Sequence, residues 1–159
     1  MIQIRTGDLI TVYHEGGWIT FAILTKQILF GGHWCFVYYQ VSPERPAPVF
    51  DVKNAGFNAF ADFIVPKRQD RIIRISRKND FQGLKGPELL VQQPVQGESN
   101  YGVWKWQNGL RERAEYLRST PSPSMQERGC PEYTCFSADF ICELVKRRWK
   151  PGDRWWIAQ

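Results

Sequence analysis

The fold prediction starts from the stretch Gly31-Gly32-His33-Trp34-Cys35-Phe36-Val37-Tyr38-Tyr39-Gln40-Val41. Its aromatic and β-branched residues favour a strand over 33–41, because such side chains suit a pleated, half-buried surface. Gly31-Gly32 breaks the chain before this strand, and Ser42-Pro43 ends it. The short apolar run Val49-Phe50-Asp51-Val52 predicts a second strand, so the two runs are expected to form an antiparallel hairpin.

The strongest helix signal lies near the end of the sequence, from Cys135 to Trp149. Apolar side chains recur there at helical spacing, and Pro151-Gly152 ends the segment. The other predicted elements are strands over 8–13 and 71–75, a short helix over 18–30, and helical segments over 58–63 and 108–118. This order of elements, in which strands predominate and a strong helix comes last, predicts an α+β fold. The helix is expected to pack against a small antiparallel sheet or partial barrel.

Composition predicts a single domain over residues 1–159. The 159 residues are 43% hydrophobic and 23% charged, which is typical of a folded globular chain. There is no apolar run of about 18 residues and no secretory signal, so we expect a cytoplasmic protein whose four cysteines are reduced. The net charge of +5 is modest, so the basic clusters are interpreted as a solvated face rather than a nucleic-acid site. The oligomeric state is left open.

Three residues form a candidate catalytic group. His33 opens the strand predicted over 33–41, and Cys135 is expected at the start of the last helix, where unpaired N–H groups and the helix dipole favour a thiolate. A nearby imidazole would complete the ion pair used by cysteine hydrolases. Asp51, a carboxylate flanked by Phe50 and Val52, is the candidate that would orient the imidazole. Backbone N–H groups at the helix start would hold the oxyanion.

The same residues also have structural explanations. A cysteine at a helix start can be a small buried apolar residue, and a histidine can be a hydrogen-bonded part of the core. Zinc would need a closely spaced ligand pair with a second matching pair, whereas four residues separate Cys130 from Cys135 and Cys142 follows at the seventh position after Cys135. No metal and no cofactor is therefore predicted, and Cys35 and Cys142 are interpreted as core residues.

Six short motifs occur in a distinctive order. They are Arg5-Thr6-Gly7-Asp8-Leu9-Ile10, Gly31-Gly32-His33-Trp34-Cys35-Phe36-Val37, Pro48-Val49-Phe50-Asp51-Val52, Arg71-Ile72-Ile73-Arg74-Ile75, Asn100-Tyr101-Gly102 and Tyr133-Thr134-Cys135-Phe136-Ser137-Ala138-Asp139-Phe140-Ile141. In this order they resemble the permuted NlpC-like papain-fold cysteine hydrolases, in particular the YaeF/YiiX amidase family, with the lecithin–retinol acyltransferase type as a more distant relative. In that superfamily the histidine strand precedes the cysteine helix.

The resemblance implies a Cys–His–Asp triad in which Cys135 is the nucleophile, His33 the general base and Asp51 the orienting residue. The sequence departs from the family pattern at three places. Gly32 replaces the usual small polar residue before the histidine, Asp51 stands where glutamate is common, and Phe136 follows the cysteine where serine is usual.

The implied function is cysteine-dependent cleavage of an amide through a thioester, with a small peptide, a lysine amide or a peptidoglycan-type fragment as substrate. A first alternative is a lipid-directed thiol acyltransferase or phospholipase. It would need an apolar groove beside Cys135, which Trp18, Trp34 and Phe36 would supply. A second alternative is a non-catalytic SH3-like binding module, such as a toxin-neutralising immunity protein, in which Cys135 would be unreactive.

Overall fold

The computed structural model describes residues 1–26, 31–45, 56–81, 87–94, 97–107 and 113–155. Its strands are β1 (Leu9–His14), β2 (Gly17–Lys26), β3 (His33–Ser42), β4 (Gly56–Asp62), β5 (Ile72–Ser76), β6 (Leu89–Gln92), β7 (Tyr101–Gln107), β8 (Arg113–Thr120) and β9 (Cys135–Ser137). Its helices are α1 (Ile64–Arg68), α2 (Met125–Arg128) and α3 (Ala138–Lys146). The expected mixture of helix and sheet is confirmed, with most of the regular structure in strands.

The larger sheet has six strands in the order β5-β1-β2-β3-β4-β9. Strands β1 to β4 form an antiparallel meander, β5 returns to pair antiparallel with β1, and β9 adds parallel to β4. The β1–β2 hairpin turns through Glu15 and Gly16, whose φ angles of 44° and 84° suit the tight turns that match strand twist. Over the described residues, neither this sheet nor the smaller one closes into a barrel.

The helix predicted over 18–30 is wrong for its described part, because residues 18–26 belong to strand β2, in the middle of the larger sheet. Ile19, Phe21 and Ile23 pack on one face of the sheet, while Ala22 packs on the other. A strand that is buried on both faces is apolar throughout, so its sequence lacks the alternation that identifies a half-exposed strand.

Two more predicted helical segments are also strands. Residues 58–63 fall mainly in β4, and the described part of 108–118 begins β8. β3 is confirmed, and its described neighbours are β2 and β4. The strand predicted over 49–52, and with it Asp51, lies outside the described residues.

Each face of the six-stranded sheet has its own apolar cluster. Helix α3 covers one face through buried residues that include Ile141, Leu144 and Val145. On the other face, Trp34 and Phe60 pack against residues of the smaller sheet, which has the order β6-β7-β8. Burying a large apolar side chain contributes about 1.5–3 kcal/mol, so both layers stabilise the sheet between them.

One stretch, residues 131–137, contacts both sheets, and we call it the linking segment. The N–H of Val91 donates to Pro131 O (2.9 Å), and the N–H of Tyr133 donates to Val91 O (3.0 Å), so the segment first extends the smaller sheet beside β6. Two residues later it becomes β9 and pairs with β4 of the larger sheet. The linking segment therefore fixes the two sheets relative to each other.

None of the helices found in the described ranges has the length and apolar character needed to cross a membrane.

Candidate functional site

Cys135 does not lie on the last helix, so the helix predicted to begin there is corrected. The residue opens strand β9, and α3 begins three residues later. Ser137 caps the helix instead, with its Oγ accepting a hydrogen bond from the N–H of Phe140 at 3.2 Å. Serine satisfies an unpaired N–H at a helix start, which the Cys135 side chain is too far upstream to do.

The strand register places His33 and Cys135 on opposite faces of the larger sheet. His33 pairs with Ala61, which pairs with Phe136, whereas Cys135 shares a row with Phe60. Paired residues point to one face and successive residues alternate, so the imidazole lies on the α3 side and the thiol on the other. The ring of His33 lies 5.8 Å from the ring of Phe63, on the α3 side.

The backbone next to His33 nevertheless lies close to the Cys135 sulfur. A Cβ atom on Gly32 would lie 2.6 Å from Cys135 Sγ and 2.8 Å from the carbonyl oxygen of Ala61. Both distances are shorter than ordinary contacts allow, so the absence of a side chain at position 32 makes room for the sulfur. The structure therefore brings the two predicted elements together without turning their functional side chains toward each other.

The surroundings of Cys135 disfavour its thiolate. Its side chain packs beside the cluster formed by Trp34 and Phe60. Burial, together with repulsion from the Asp62 carboxylate, raises the pKa of the Cys135 thiol to about 11. Since the thiolate is the nucleophilic form, this site is poorly suited to attack at neutral pH.

The described carboxylate near the thiol is already engaged. Asp62 Oδ1 accepts a hydrogen bond from the N–H of Ile64 at 2.8 Å, where α1 begins. This bond satisfies an unpaired donor at the helix start.

Of the three aromatic residues expected to line a lipid groove, Trp34 packs in the cluster beside Cys135, and the other two do not join it there. Trp18 pairs with Ser42 and packs on Tyr13, at the end of the sheet away from His33. Trp34 is fully buried, and Phe36 packs edge-on against Tyr38.

A charged cluster that the sequence did not predict connects α3 to β1. His14 Nε2 lies 2.6 Å from Glu143 Oε1, and its Nδ1 lies 3.2 Å from Asp139 Oδ1. Arg71 donates two hydrogen bonds to the Asp139 carboxylate, at 2.8 and 2.9 Å. The Arg71 hydrogen bonds lower the pKa of Asp139, and the His14 hydrogen bond lowers that of Glu143. No short motif joins these residues, because their partners are distant in the chain.

Part of this cluster has the donor set of a metal site. Ligand atoms of His14, Glu15 and Glu143 lie within 4.8 Å of one another. The Lys146 ammonium, however, lies 3.7 Å from Glu15 and 3.9 Å from Glu143. A cation is thus already supplied by the chain, and the cluster is best explained as an anchor for α3.

The most exposed regular element is β8. It pairs with β7 on one side, and among the residues that the structure describes no strand pairs with its other edge. Residues 115–119 are exposed on both faces of the strand. Tyr116 and Leu117 present large apolar side chains there.

Comparison with known proteins does not identify a family for this chain. No protein-family model, curated protein or solved structure matches it.

Proposed function

We propose that this protein is a non-catalytic binding module that captures another protein along strand β8. The observation that carries the proposal is the exposure of β8 on both faces next to an edge that no described strand covers. An uncovered edge presents a row of backbone donors and acceptors, and an extended segment of a partner can add to it as a further strand. Neutralisation of a toxin by an immunity protein is one role that such capture serves.

The side chains of β8 support recognition. Tyr116 is 52% exposed and Leu117 is 46% exposed. Leu117 lies at a β-bulge, between Tyr116 opposite Trp104 and Arg118 opposite Val103. Glu115 and Arg118 flank them with opposite charges. In strand addition the backbone hydrogen bonds supply affinity, while pockets for alternate side chains supply specificity. β8 offers both, because two large apolar side chains are exposed on the strand that carries this edge.

The geometry around Cys135 supports the non-catalytic part of the proposal. The thiol and the imidazole face opposite sides of the sheet, and the thiol has a raised pKa. A Cys–His nucleophile needs the base within hydrogen-bond reach of the sulfur. The apolar packing of Cys135 beside Trp34 and Phe60 is instead what a structural cysteine shows.

The test is binding to a partner isolated from the source cells, confirmed with the purified partner in a titration. Leu117→Pro removes an N–H and stiffens the strand, so we expect binding to fall by at least about tenfold. Leu117→Asp should weaken it as well. Ile64→Asp is the matched control, because Ile64 is 51% exposed but lies on α1, away from β8. Full binding by both Leu117 variants, or equal loss in the Ile64 variant, would contradict the proposal.

Cysteine-dependent amide hydrolysis is a second candidate, supported by the resemblance and by the closeness of Gly32 to Cys135 Sγ. In this function the imidazole takes the thiol proton and the thiolate attacks the acyl carbon. The C–N bond then breaks, the imidazolium gives its proton to the leaving amine, and water hydrolyses the thioester. It requires a change that turns His33 and Cys135 toward the same face.

Alkylation separates the two functions. With a pKa of about 11, only about one Cys135 thiol in 10⁴ is ionised at pH 7, so a binding module reacts slowly with iodoacetamide and faster as pH rises. Peptide mapping by mass spectrometry locates the label, with Cys135→Ala as the control. Rapid labelling of Cys135 at pH 7, together with amide cleavage lost in Cys135→Ala, would favour the hydrolase.

A further inference from the structure

A polar cleft lies at the end of the smaller sheet where β8 ends, and its lining includes neither Cys135 nor a residue of β8. Its volume is about 300 Å³, which falls at the lower end of the range for small-molecule sites. The walls come from β6, the start of β7, the loop after β8, α2 and the linking segment. The polar residues among its lining are Gln93, Tyr101, Ser122, Arg128, Cys130 and Glu132.

A buried carboxyl group lines this cleft. Glu132 is only 5% exposed and accepts a hydrogen bond of 2.6 Å from Gln93 Nε2. Burial raises the pKa of Glu132 to about 8, against the lowering effect of the hydrogen bonds from Gln93. A carboxyl group is costly to bury as an anion without a cationic partner. Its position in the wall of a cleft suggests that a partner comes from outside the chain.

Gln93, which is 6% exposed, adds a second acceptor beside Glu132. Its Nε2 donates to Glu132 Oε1 and to the carbonyl oxygen of Asp153, each at 2.6 Å, so both amide hydrogens are used. Its Oε1 is buried and has no hydrogen-bond partner within the described ranges. Buried polar atoms are nearly always paired, so an orphaned acceptor in a cleft wall indicates a missing donor.

Arg128 gives the same cleft a positive charge. Its Nε donates to the carbonyl oxygen of Pro123 at 3.1 Å, which holds the guanidinium group near the exposed side of the cleft. A guanidinium group binds carboxylates through paired N–H donors. The cleft therefore combines acceptors at its buried wall with a cationic donor group that is exposed.

We propose that this cleft binds a small zwitterion of amino-acid size. The ligand's ammonium group would donate to the Glu132 carboxylate and to Gln93 Oε1, and its carboxylate would accept from Arg128. A simple amine would meet repulsion from Arg128, and a simple anion would meet the acceptors of Glu132 and Gln93. A molecule that carries both charges satisfies the two ends of the cleft at once. The site is independent of the binding function proposed for β8.

The charges in the cleft predict a coupling between ligand and proton. The other titratable groups in its lining are Tyr101, Arg128 and Cys130, and Asp153 lies behind Gln93 with its side chain bonded to the N–H of Lys150. Below pH 8 the Glu132 carboxyl is mostly protonated, so binding of an ammonium group must release its proton. We expect affinity to rise as pH increases from about 6 toward 8.

The experiment is isothermal titration calorimetry of the full chain with the common L-amino acids, each tested alone. n-Butylamine and n-butyrate serve as probes that carry a single charge. We expect at least one amino acid to bind more tightly than both single-charge probes. At pH 7 the measured heat should differ between phosphate and Tris, because the released proton passes to the buffer.

Two variants test the residues. Glu132→Gln keeps the shape of the side chain but should abolish the buffer dependence and weaken binding by at least about tenfold. Arg128→Gln lies at an exposed position and should not affect folding. The affinity of this variant for amino acids should fall to its affinity for n-butylamine. Arg68→Gln, on exposed α1, is the matched control and should bind normally. Failure of every amino acid to bind, or unchanged binding in Arg128→Gln, would overturn the proposal.

Discussion

Cys135 and Gly32 show how one missing side chain positions another. The sulfur occupies the space where a Cβ atom on Gly32 would be, and it packs beside apolar rings rather than facing His33. The same contact accounts for the departure of position 32 from the small polar residue expected by resemblance. A polar side chain there would collide with both the sulfur and the carbonyl oxygen of Ala61.

Gly32→Ala should lower the free energy of unfolding by about 1–3 kcal/mol, because overpacking forces the neighbouring strands apart. In a Cys135→Ala background the loss should be smaller by about 0.5 kcal/mol or more, since the sulfur is gone while the Ala61 carbonyl remains. Urea denaturation of the four proteins of this cycle measures the difference.

Gly129→Ala is the control for that cycle. A Cβ atom there would meet its nearest neighbour, the carbonyl oxygen of Gln126, at an ordinary 3.8 Å, so stability should change by less than about 0.5 kcal/mol. Equal costs of Gly32→Ala in the two backgrounds would show that the sulfur does not fill this space.

The candidate site was only partly predictable from single residues. The sequence identified His33 and Cys135 as lying on elements that come together, which the Gly32 contact supports. It did not predict that their side chains face opposite ways, because a β9 strand of three residues is too short to leave a periodic signal. Nor did it predict the pairing of Gln93 with Glu132, which depends on the linking segment running beside β6.

At the level of elements, α3 is held by charges as well as by its apolar face. Asp139 in its first turn accepts two hydrogen bonds from Arg71 just before β5, and Glu143 one turn later contacts His14 at the end of β1. The helix therefore ties the strands at one edge of the larger sheet.

Asp139→Asn should lower stability at pH 7 by about 1–3 kcal/mol, because it removes the charge from a bidentate pair with Arg71. The folded state lowers the pKa of Asp139, so its contribution is present above the unfolded carboxyl's pKa and is lost as pH falls through the folded value. The difference in free energy of unfolding between wild type and variant should therefore disappear below about pH 4.

Thermal or urea unfolding of both proteins at a series of pH values measures this difference in stability. Asp80→Asn, at an exposed aspartate, is the control and should follow the wild-type curve. A gap that stays constant from pH 7 to pH 2 would contradict the assigned role of the Asp139 carboxylate.

Residue composition decided which strands could be predicted, because β1 and β3 are also buried on both faces over much of their length. Strands over 8–13, 33–41 and 71–75 match β1, β3 and β5 closely, because β-branched and aromatic residues dominate them. β2 and β4 were predicted as helical, because apolar residues of β2 also fall at helical spacing and β4 carries several residues of low strand propensity, among them Gly56, Asn58 and Ala59. Tertiary packing overrides local preference in both strands.

On the scale of the whole molecule, the linking segment makes two sheets into one unit. Tyr133 bonds to β6 through its N–H, and its ring stacks on Trp104 of β7 with centroids 3.9 Å apart. β9 then continues the same chain into the larger sheet. Local opening of either sheet should therefore be coupled to the other.

Tyr133→Pro should uncouple the sheets, because proline has no N–H to donate to the carbonyl oxygen of Val91. Amide hydrogen exchange should become faster in β6, β7 and β8 and stay slow in β2 and β3. Tyr133→Phe keeps the N–H and the ring, so it should exchange like the wild type. A uniform increase across both sheets in the proline variant would show that the segment does not join them.

The linking segment also has a consequence for how the chain reaches this structure. The pairing of β4 with β9, in which Phe60 lies opposite Cys135, brings together residues that are far apart in the chain. Such long-range pairing forms more slowly than a hairpin between neighbouring strands. Until that closure the Cys135 thiol lies open to water and has no burial to suppress its ionisation. Oxidation to a sulfinic acid at that stage would add oxygen atoms that do not fit beside Gly32. Cys135 is thus more open to oxidative damage while the chain is still folding than in the finished protein.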